Sequence, residues 1–572
     1  MRKLATGLVM VAATIAAAAC KDALQVTNPN NPNIAQVLAT GTDIEAVFAQ
    51  GYLQVGFTGS GIHTNNIAPQ LNAMSLESYG NVANFDMVYR AAIPRKFIDN
   101  SVNNSGAGVH FADFQNMQKL ARGISIAIAA LDKFTAGGKS LGSASQDARA
   151  RAWGFFELGL ALGNSALVYD SASIVTPTTP TLGPPQPLSG YAAVMTAALG
   201  DLDSALTIAR STAVTGNPTP FTSTWINGLS VDQPTFIRIV RSYQARFRAG
   251  VARTPADRAA VNWDQVIADA TNGITSDLVV TLSIQAGWQQ QEVTNCYRYG
   301  GWGDASMLYL GMADTSGAYD AWLTTSMINR QPFLLRTGDN RWPSGEDRNS
   351  QIISSGGTLT GQDVAVPGTT GLYLRNRQPG QDPPGDPWGT SFYDHYRFRY
   401  LTVNNSDNKG PWIEMSLSEI NLLAAEGYIR KGNFAAAAPL IDVSRTQHNL
   451  PPLTGTVADG TSPVPGATYV GGKMTAVVPG AQNCVPRVPS GPNGPTACGN
   501  MMEALKYEYR METYFTGYGQ WFFAERGWGD LVEGTPLQFP VPYQEMQVRL
   551  KPFYNLGGVG NPSAAAKGTY GF

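Results

Sequence analysis

Seven Trp and Tyr side chains fall within residues 288–322: Trp288, Tyr297, Tyr299, Trp302, Tyr309, Tyr319 and Trp322. The whole 572-residue chain holds 11 Trp and 23 Tyr, so this stretch is about threefold enriched, and it contains no Phe. Trp and Tyr join a flat apolar face to a polar edge. A sugar ring has an apolar C–H face and a hydroxyl rim, so such platforms suit stacking against a glycan. Tyr297-Arg298-Tyr299-Gly300-Gly301-Trp302-Gly303-Asp304 adds an Arg and an Asp that can hydrogen-bond that rim. Trp288, Tyr297, Tyr299, Trp302, Asp304 and Trp322 are therefore the candidate ligand-binding residues, with Trp342 and Trp388 as weaker ones. The competing reading is that these rings pack the segment onto its neighbours.

Groups that could do covalent chemistry are sparse. Glycoside hydrolysis needs two carboxylates, and acyl transfer needs an activated nucleophile. Glu414, Glu419, Glu426, Glu508, Glu512 and Asp304 are the carboxylates available for such a pair. The plainer expectation is salt bridges from them to Arg430, Arg445 and Arg510 inside a scaffold. His63, His110, His395 and His448 are far apart and form no triad pattern, and with only 4 Cys no metal-ligand spacing exists. Gly300-Gly301-x-Gly303 lacks the Lys-Ser/Thr of a phosphate loop. A binding protein without metal or cofactor is expected, with glycoside hydrolase as the less favoured alternative. The net charge of −2 lacks the basic excess of a nucleic-acid binder.

Arg2 and Lys3 precede an uncharged, Ala-rich stretch from Leu4 to Ala19, which reads as a signal peptide over residues 1–19. Ala17-Ala18-Ala19-Cys20 resembles a bacterial lipobox, in which the Cys is acylated and becomes the new N-terminus. Lys21-Asp22 resembles a short export tag of surface lipoproteins. Cys20 is thus the expected lipidation site. Residues 20–40, with Asn28-Pro29-Asn30-Asn31-Pro32-Asn33, read as a tether. No later apolar run of roughly 18 residues is expected to span a membrane. Export permits disulfides. Cys484 and Cys498 flank a Pro/Gly loop and could close it, for a gain of about 3 kcal/mol. Cys296 is left over.

The elements that must position these groups are helical. Apolar and small residues at helix spacing run from Asp147 to Tyr169, with Gly159 and Gly163 on the stripe. Further helices are expected near Thr42-Asp43 and at 191–210, 233–250 and 262–273. Ser416-Leu417-Ser418-Glu419 has capping-box spacing, Gly432 suits a left-handed helix end, and Asn433 caps the next helix. The pair over 416–445 is an αα-hairpin. Repeated hairpins point to an all-α fold, a degenerate tetratricopeptide-like helical-repeat scaffold with at most small β-hairpins. One domain over 41–572 is expected, with loop insertions at about 276–411 and 449–500.

Several stretches together resemble the RagB/SusD family of surface lipoproteins. Ile413 to Gly427, with Glu414, Glu419, Ala424-Ala425-Glu426, is similar to the family's late helix, and Gly432-Asn433-Phe434 with Ile441 to Arg445 and Leu450-Pro451 to the helix after it. Glu508-Tyr509-Arg510-Met511-Glu512 with Phe515 and Gly517 resembles an ER-x-x-EL-x-FEG segment, and Phe539 to Met546 a closing PIP-x-x-E motif. Ala150 to Tyr169 is similar to the early helix. The chain departs from the pattern at Tyr509 and Thr516, where the family has Glu, and lacks an Arg-x-x-Asp near Gly519-Gln520-Trp521. The resemblance implies a helical lid on a TonB-dependent outer-membrane transporter. It also implies capture of an oligosaccharide or other oligomeric nutrient, no chemistry, and an outer-membrane, surface-exposed location. The alternative is a tetratricopeptide-type assembly scaffold without a small ligand.

Overall fold

The computed structural model describes residues 38–56, 67–104, 106–181, 183–211, 221–290, 302–357, 359, 371–378, 380–382, 391–402 and 406–572. Among them, ten helices have nine or more residues. They are α1 Gly41–Gly56, α2 Ala107–Ala136, α3 Ala144–Val168, α4 Tyr191–Ala209, α5 Gln233–Gly250, α6 Trp263–Thr271, α7 Leu417–Arg430, α8 Phe434–Gln447, α9 Met501–Glu512 and α10 Gln520–Trp528. Strands among the described residues occur only in two-stranded antiparallel pairs and isolated bridges. The fold is mainly α, a helical-repeat scaffold carrying small hairpins.

Helix α3 is the hub because its small residues admit neighbours. A Cβ at Gly154 would meet the Phe48 ring of α1 at 2.6 Å, one at Gly159 would meet Leu202 of α4 at 2.8 Å, and one at Gly163 would meet the Phe247 ring of α5 at 2.1 Å. Three partners therefore approach α3 closely without side-chain collision. Between them, Trp153 and Phe156 pack with Tyr52, Phe221 and Phe236 at ring-centre distances of 5.4–6.1 Å. Ser143 starts α3 by accepting a hydrogen bond from Gln146 N. By length and composition α4 could cross a membrane, contrary to the expectation that no such run follows the leader. Its Val194, Ala198, Leu202 and Ala205 are buried, and Ala198 and Leu202 lie against Gly159. Here it is a scaffold helix.

The α7–α8 hairpin forms as its sequence dictates. Ser416 accepts from Glu419 N at 3.0 Å, Gly432 has φ +71°, and Asn433 accepts from Ala436 N at 3.2 Å. The Glu419 carboxylate meets Arg246 of α5 through two 2.7 Å contacts. One residue thus starts a helix with its N–H and ties two helices together with its side chain.

The first insertion leaves and rejoins the scaffold through a ladder. Strand β1 Leu278–Leu282 pairs antiparallel with β2 Gly410–Met415, with Trp412 opposite Val280. The second insertion raises a hairpin, β3 Gly466–Val470 with β4 Lys473–Val478, turning at Gly471 (φ +58°) and Gly472 (φ +76°). Positive φ at both turn residues is what a two-residue hairpin of this hand requires. A disulfide joins Cys484 to Cys498 near the base of this hairpin, closing the Pro/Gly loop. Asn483, beside Cys484, donates to Ala467 O of β3.

Candidate functional site

The C-terminal helices carry their charge inside. Arg341, from the first insertion, is fully buried and donates to Asp339 at 2.7 and 2.9 Å. It also meets Glu508 and Glu512 of α9, each at 2.9 Å. Ser444 of α8 donates to Glu508 at 2.6 Å and to Glu512 at 2.9 Å, and Tyr507 donates to Asp339 at 2.7 Å. Burial pushes the Asp339 carboxyl up, but Arg341 overrides it and holds the group below its usual value. Burial likewise opposes ionisation of Glu512, and the contacts with His448 and Arg341 pull it well below the carboxylate range. This network locks the first insertion onto α8 and α9.

A cleft of about 890 Å³ lies directly above it. Most of its lining comes from three parts of the chain: loop 336–344 of the first insertion, the end of α8 with Thr446, Gln447 and Asn449, and the β3–β4 hairpin with Tyr469, Lys473 and Met474; Thr315, Ser354 and Leu372 complete it. Trp342 and Asp339 form the floor, both nearly inaccessible. Trp342 is fixed from below, its Nε1 donating to Tyr507 Oη at 3.4 Å and its ring meeting Tyr393 edge-on at 5.3 Å.

Asn449 holds the walls together. Its backbone has φ +63°, a conformation Asn tolerates better than bulkier residues. Its Nδ2 donates to Gly338 O at 2.8 Å and to Gly472 O at 3.0 Å, and its Oδ1 accepts from Met474 N at 2.9 Å. Tyr469 Oη donates to Asn449 O at 3.3 Å. The Tyr469 ring lies against the bare Cα of Gly338, where a Cβ would come within 2.0 Å of the ring. The cleft therefore has a half-buried aromatic ring, amide groups from Asn340, Gln447 and Asn449, and the cations Arg336 and Lys473. Such a mixture of flat and hydrogen-bonding groups matches the two surfaces of a sugar.

None of the sequence-derived candidates Trp288, Trp302, Asp304 and Trp322 lines this cleft. Trp288 is 6% exposed, its ring 6.3 Å from that of Tyr52, so it packs the first insertion on α1. Trp322 is 5% exposed between Tyr319, at 6.0 Å, and the Arg330 guanidinium, at 4.3 Å. Asp304 is 1% exposed and ion-paired with Arg377, and Asn81 donates to it at 3.2 Å. The stacking role expected for Trp288 and Trp322, and the edge role expected for Asp304, are corrected by this burial: their polar and apolar surfaces are already used. Trp302 is half-buried against Phe85 at 6.3 Å. Tyr297, Tyr299, Cys296, Trp388, His63 and Cys20 lie outside the described residues. Of the weaker candidates, Trp342 reaches the cleft floor.

The carboxylates a hydrolase would use are committed to arginines. Glu414 and Glu419 meet Arg246, Glu426 meets Arg258 and Arg430, and Glu508 meets Arg341 and Arg445. The salt-bridge expectation holds in kind, with Arg246, Arg258 and Arg341 as the main partners. Arg510 pairs instead with Glu525 and Asp530. No group of three or more His, Cys, Asp or Glu suited to a metal ion occurs among the described residues.

No protein-family model matches the chain, and no curated protein matches it in sequence. Solved structures do match in fold. A SusD superfamily protein from Parabacteroides distasonis superposes with a TM-score of 0.50 at 11% identity, covering 92% of this chain and 97% of its own. One from Bacteroides vulgatus gives 0.49 at 11% identity, covering 91% and 99%. A laminarin-binding SusD-like protein gives 0.45 at 12% identity, covering 91% and 98%. The chain has the SusD fold over most of its length.

Proposed function

We propose that this protein, built on the SusD fold, is a cell-surface lipoprotein that captures an oligomeric nutrient, an oligosaccharide, and passes it to a TonB-dependent outer-membrane transporter. The observation that carries the reading is the cleft between the two insertions, large enough for several sugar units and lined by aromatic and amide groups on a rigid floor. Ligand sites of this kind are concave, preformed and few per protein. The arginine-paired carboxylates leave the scaffold poor in groups for acid–base chemistry, which favours binding over catalysis.

The location rests on Ala17-Ala18-Ala19-Cys20 and the leader before it. Acyl chains on Cys20 would hold the protein at the membrane, each buried CH₂ contributing about 0.8 kcal/mol. A chain held by lipid does not itself move a solute across a membrane, so capture needs a barrel partner. Cys20→Ala is expected to release the protein from the membrane fraction, and mild-detergent extraction of the native protein to recover a large outer-membrane β-barrel with it. The binding role is tested with the chain from residue 21, which carries every described residue, against a polysaccharide panel that includes laminarin and a set of peptides. Binding to a glycan that Tyr469→Ala abolishes supports the reading. Failure of every glycan to bind, with peptide binding or none, overturns it.

A further inference from the structure

We propose that the cleft selects an anionic oligosaccharide, one bearing carboxylate or sulfate groups, and that Lys473 and Arg336 read its charge. This rests on the capture reading above and specifies its ligand. Three charged side chains line the cleft: Arg336, Asp339 and Lys473. The negative one is already answered. Asp339 lies in the floor, engaged by Arg341 and Tyr507, so it offers a ligand little charge.

The positive pair is available. Among the described residues the Arg336 side chain pairs with the Glu346 carboxylate at 2.8 Å and donates to the Glu346 carbonyl at 3.1 Å, and the side chains of the pair are 50% and 84% exposed. Exposed pairs of this kind contribute about 0–1 kcal/mol, so a ligand anion can take the place of Glu346. Lys473 makes no ion pair among the described residues. It follows the hairpin turn, where Asn449 fixes the residue before it through Gly472 O and the residue after it through Met474 N. Tyr469, three residues before Gly472, is seated on Gly338. The cation therefore stands on a wall whose position is set before a ligand arrives, which reduces the ordering cost of binding. The two cations come from different insertions, so a chain lying along the cleft meets positive charge from the loop and from the hairpin. This local excess contrasts with the whole chain, whose net charge is −2.

The test uses the chain from residue 21 and size-matched polymers: oligogalacturonate, its methyl ester, a sulfated galactan, neutral laminarin and a single-stranded oligonucleotide. Calorimetry of wild type, Lys473→Gln and Tyr469→Ala is run at two salt concentrations, with melting curves to confirm folding. The expected result is binding of oligogalacturonate or sulfated galactan about tenfold or more tighter than the ester, the gain of a charge-assisted contact. Lys473→Gln should remove most of that preference and its salt dependence. Preference for the carboxylated or the sulfated polymer identifies which anion is read. Equal binding of ester and acid, or acid binding untouched by Lys473→Gln, overturns the charge assignment. Capture itself survives that result if Tyr469→Ala still loses the glycan. Binding of the oligonucleotide as tightly as of any acidic glycan also overturns it, marking only a general cationic surface. If none of the glycans binds, both the charge assignment and the capture reading fail.

Discussion

The two insertions differ in where they send their side chains. The first is rich in aromatic residues and, among those described, turns most inward: Trp288 against Tyr52, Trp322 between Tyr319 and Arg330, and Trp342 above Tyr507 and Tyr393. The second has one aromatic residue in 449–500, Tyr469, and stands it at the edge of the cleft. Aromatic enrichment therefore reports burial as readily as binding. A long insertion with only short helices and strands must make its own core, and Trp and Tyr supply area together with a hydrogen-bonding tip for the polar groups buried beside them. The sparse hairpin is held by its backbone ladder, the Asn449 amide and the seat of Tyr469 on Gly338, and that ring keeps part of its surface open to the cleft.

This contrast is sharpest at the interface beneath the cleft. Arg341→Met leaves Asp339, Glu508 and Glu512 buried without their shared cation, and the expected loss is about 3–5 kcal/mol in urea unfolding. A loss under about 1 kcal/mol would mean that the network does not bind the first insertion to α8 and α9. Trp288→Ala and Trp322→Ala come next. As buried rings they should each cost about 3 kcal/mol, seen as a lowered melting temperature. Variants that melt like wild type but lose ligand would restore the stacking role that their burial contradicts.

Acid should withdraw the stability that two buried histidines lend. His110 and His395 are each pushed down to about 3, chiefly by burial. His395 Nε2 accepts from Phe398 N at 3.3 Å, and its ring packs 4.4 Å from that of Phe515, both suited to a neutral ring. Their folded values lie below the unfolded value of 6.5, so unfolding takes up protons. The stability they lend is full above pH 6.5 and is lost as pH falls toward 3. Two such groups give a slope of roughly 2–3 kcal/mol per pH unit. Urea unfolding of wild type and His110→Gln at pH 7 and 5 isolates one of them: the variant should lose about 2 kcal/mol less than wild type over that interval. The smallest stability effect is expected at Tyr469→Ala, under about 1 kcal/mol for a half-buried ring on a hairpin. Its consequence should appear in binding.

The sequence was most legible where local rules and packing agree. Helix 233–250 is as its periodicity predicts, 191–210 differs by one residue at its end, and the stripe over 147–169 lies within α3 but for Tyr169, the extended residue that follows it. Gly432 and Asn433 act as expected because a helix end is decided locally. Helix α2 was not legible. Ile124, Ile126 and Ile128 alternate with smaller residues in a strand-like period within a helix of 30 residues. Helix α9 escaped because its buried face is ionic: Lys506, Glu508, Arg510 and Glu512 are all inside, and a hydrophobic count sees none of them. The Cys484–Cys498 link was readable from spacing. The site was not, because its parts come from residues 336–344, 446–449 and 469–474 and are joined by tertiary contacts such as those of Asn449, Asn340 with His448, and Gly338 with Tyr469. The alternation around Gly471-Gly472 was the one local signal for the hairpin. Which way Tyr469 faces is set by Gly338, more than a hundred residues earlier in the chain.

If the cleft is the binding site, ligand sits between the insertions and against the end of α8. Hydrogen–deuterium exchange of the chain from residue 21, with and without a bound glycan, tests it most directly. Protection should concentrate in peptides covering 336–342, 446–449 and 469–474, with residues 302–322 unchanged. Protection confined to 302–322, with the hairpin unaffected, would contradict it.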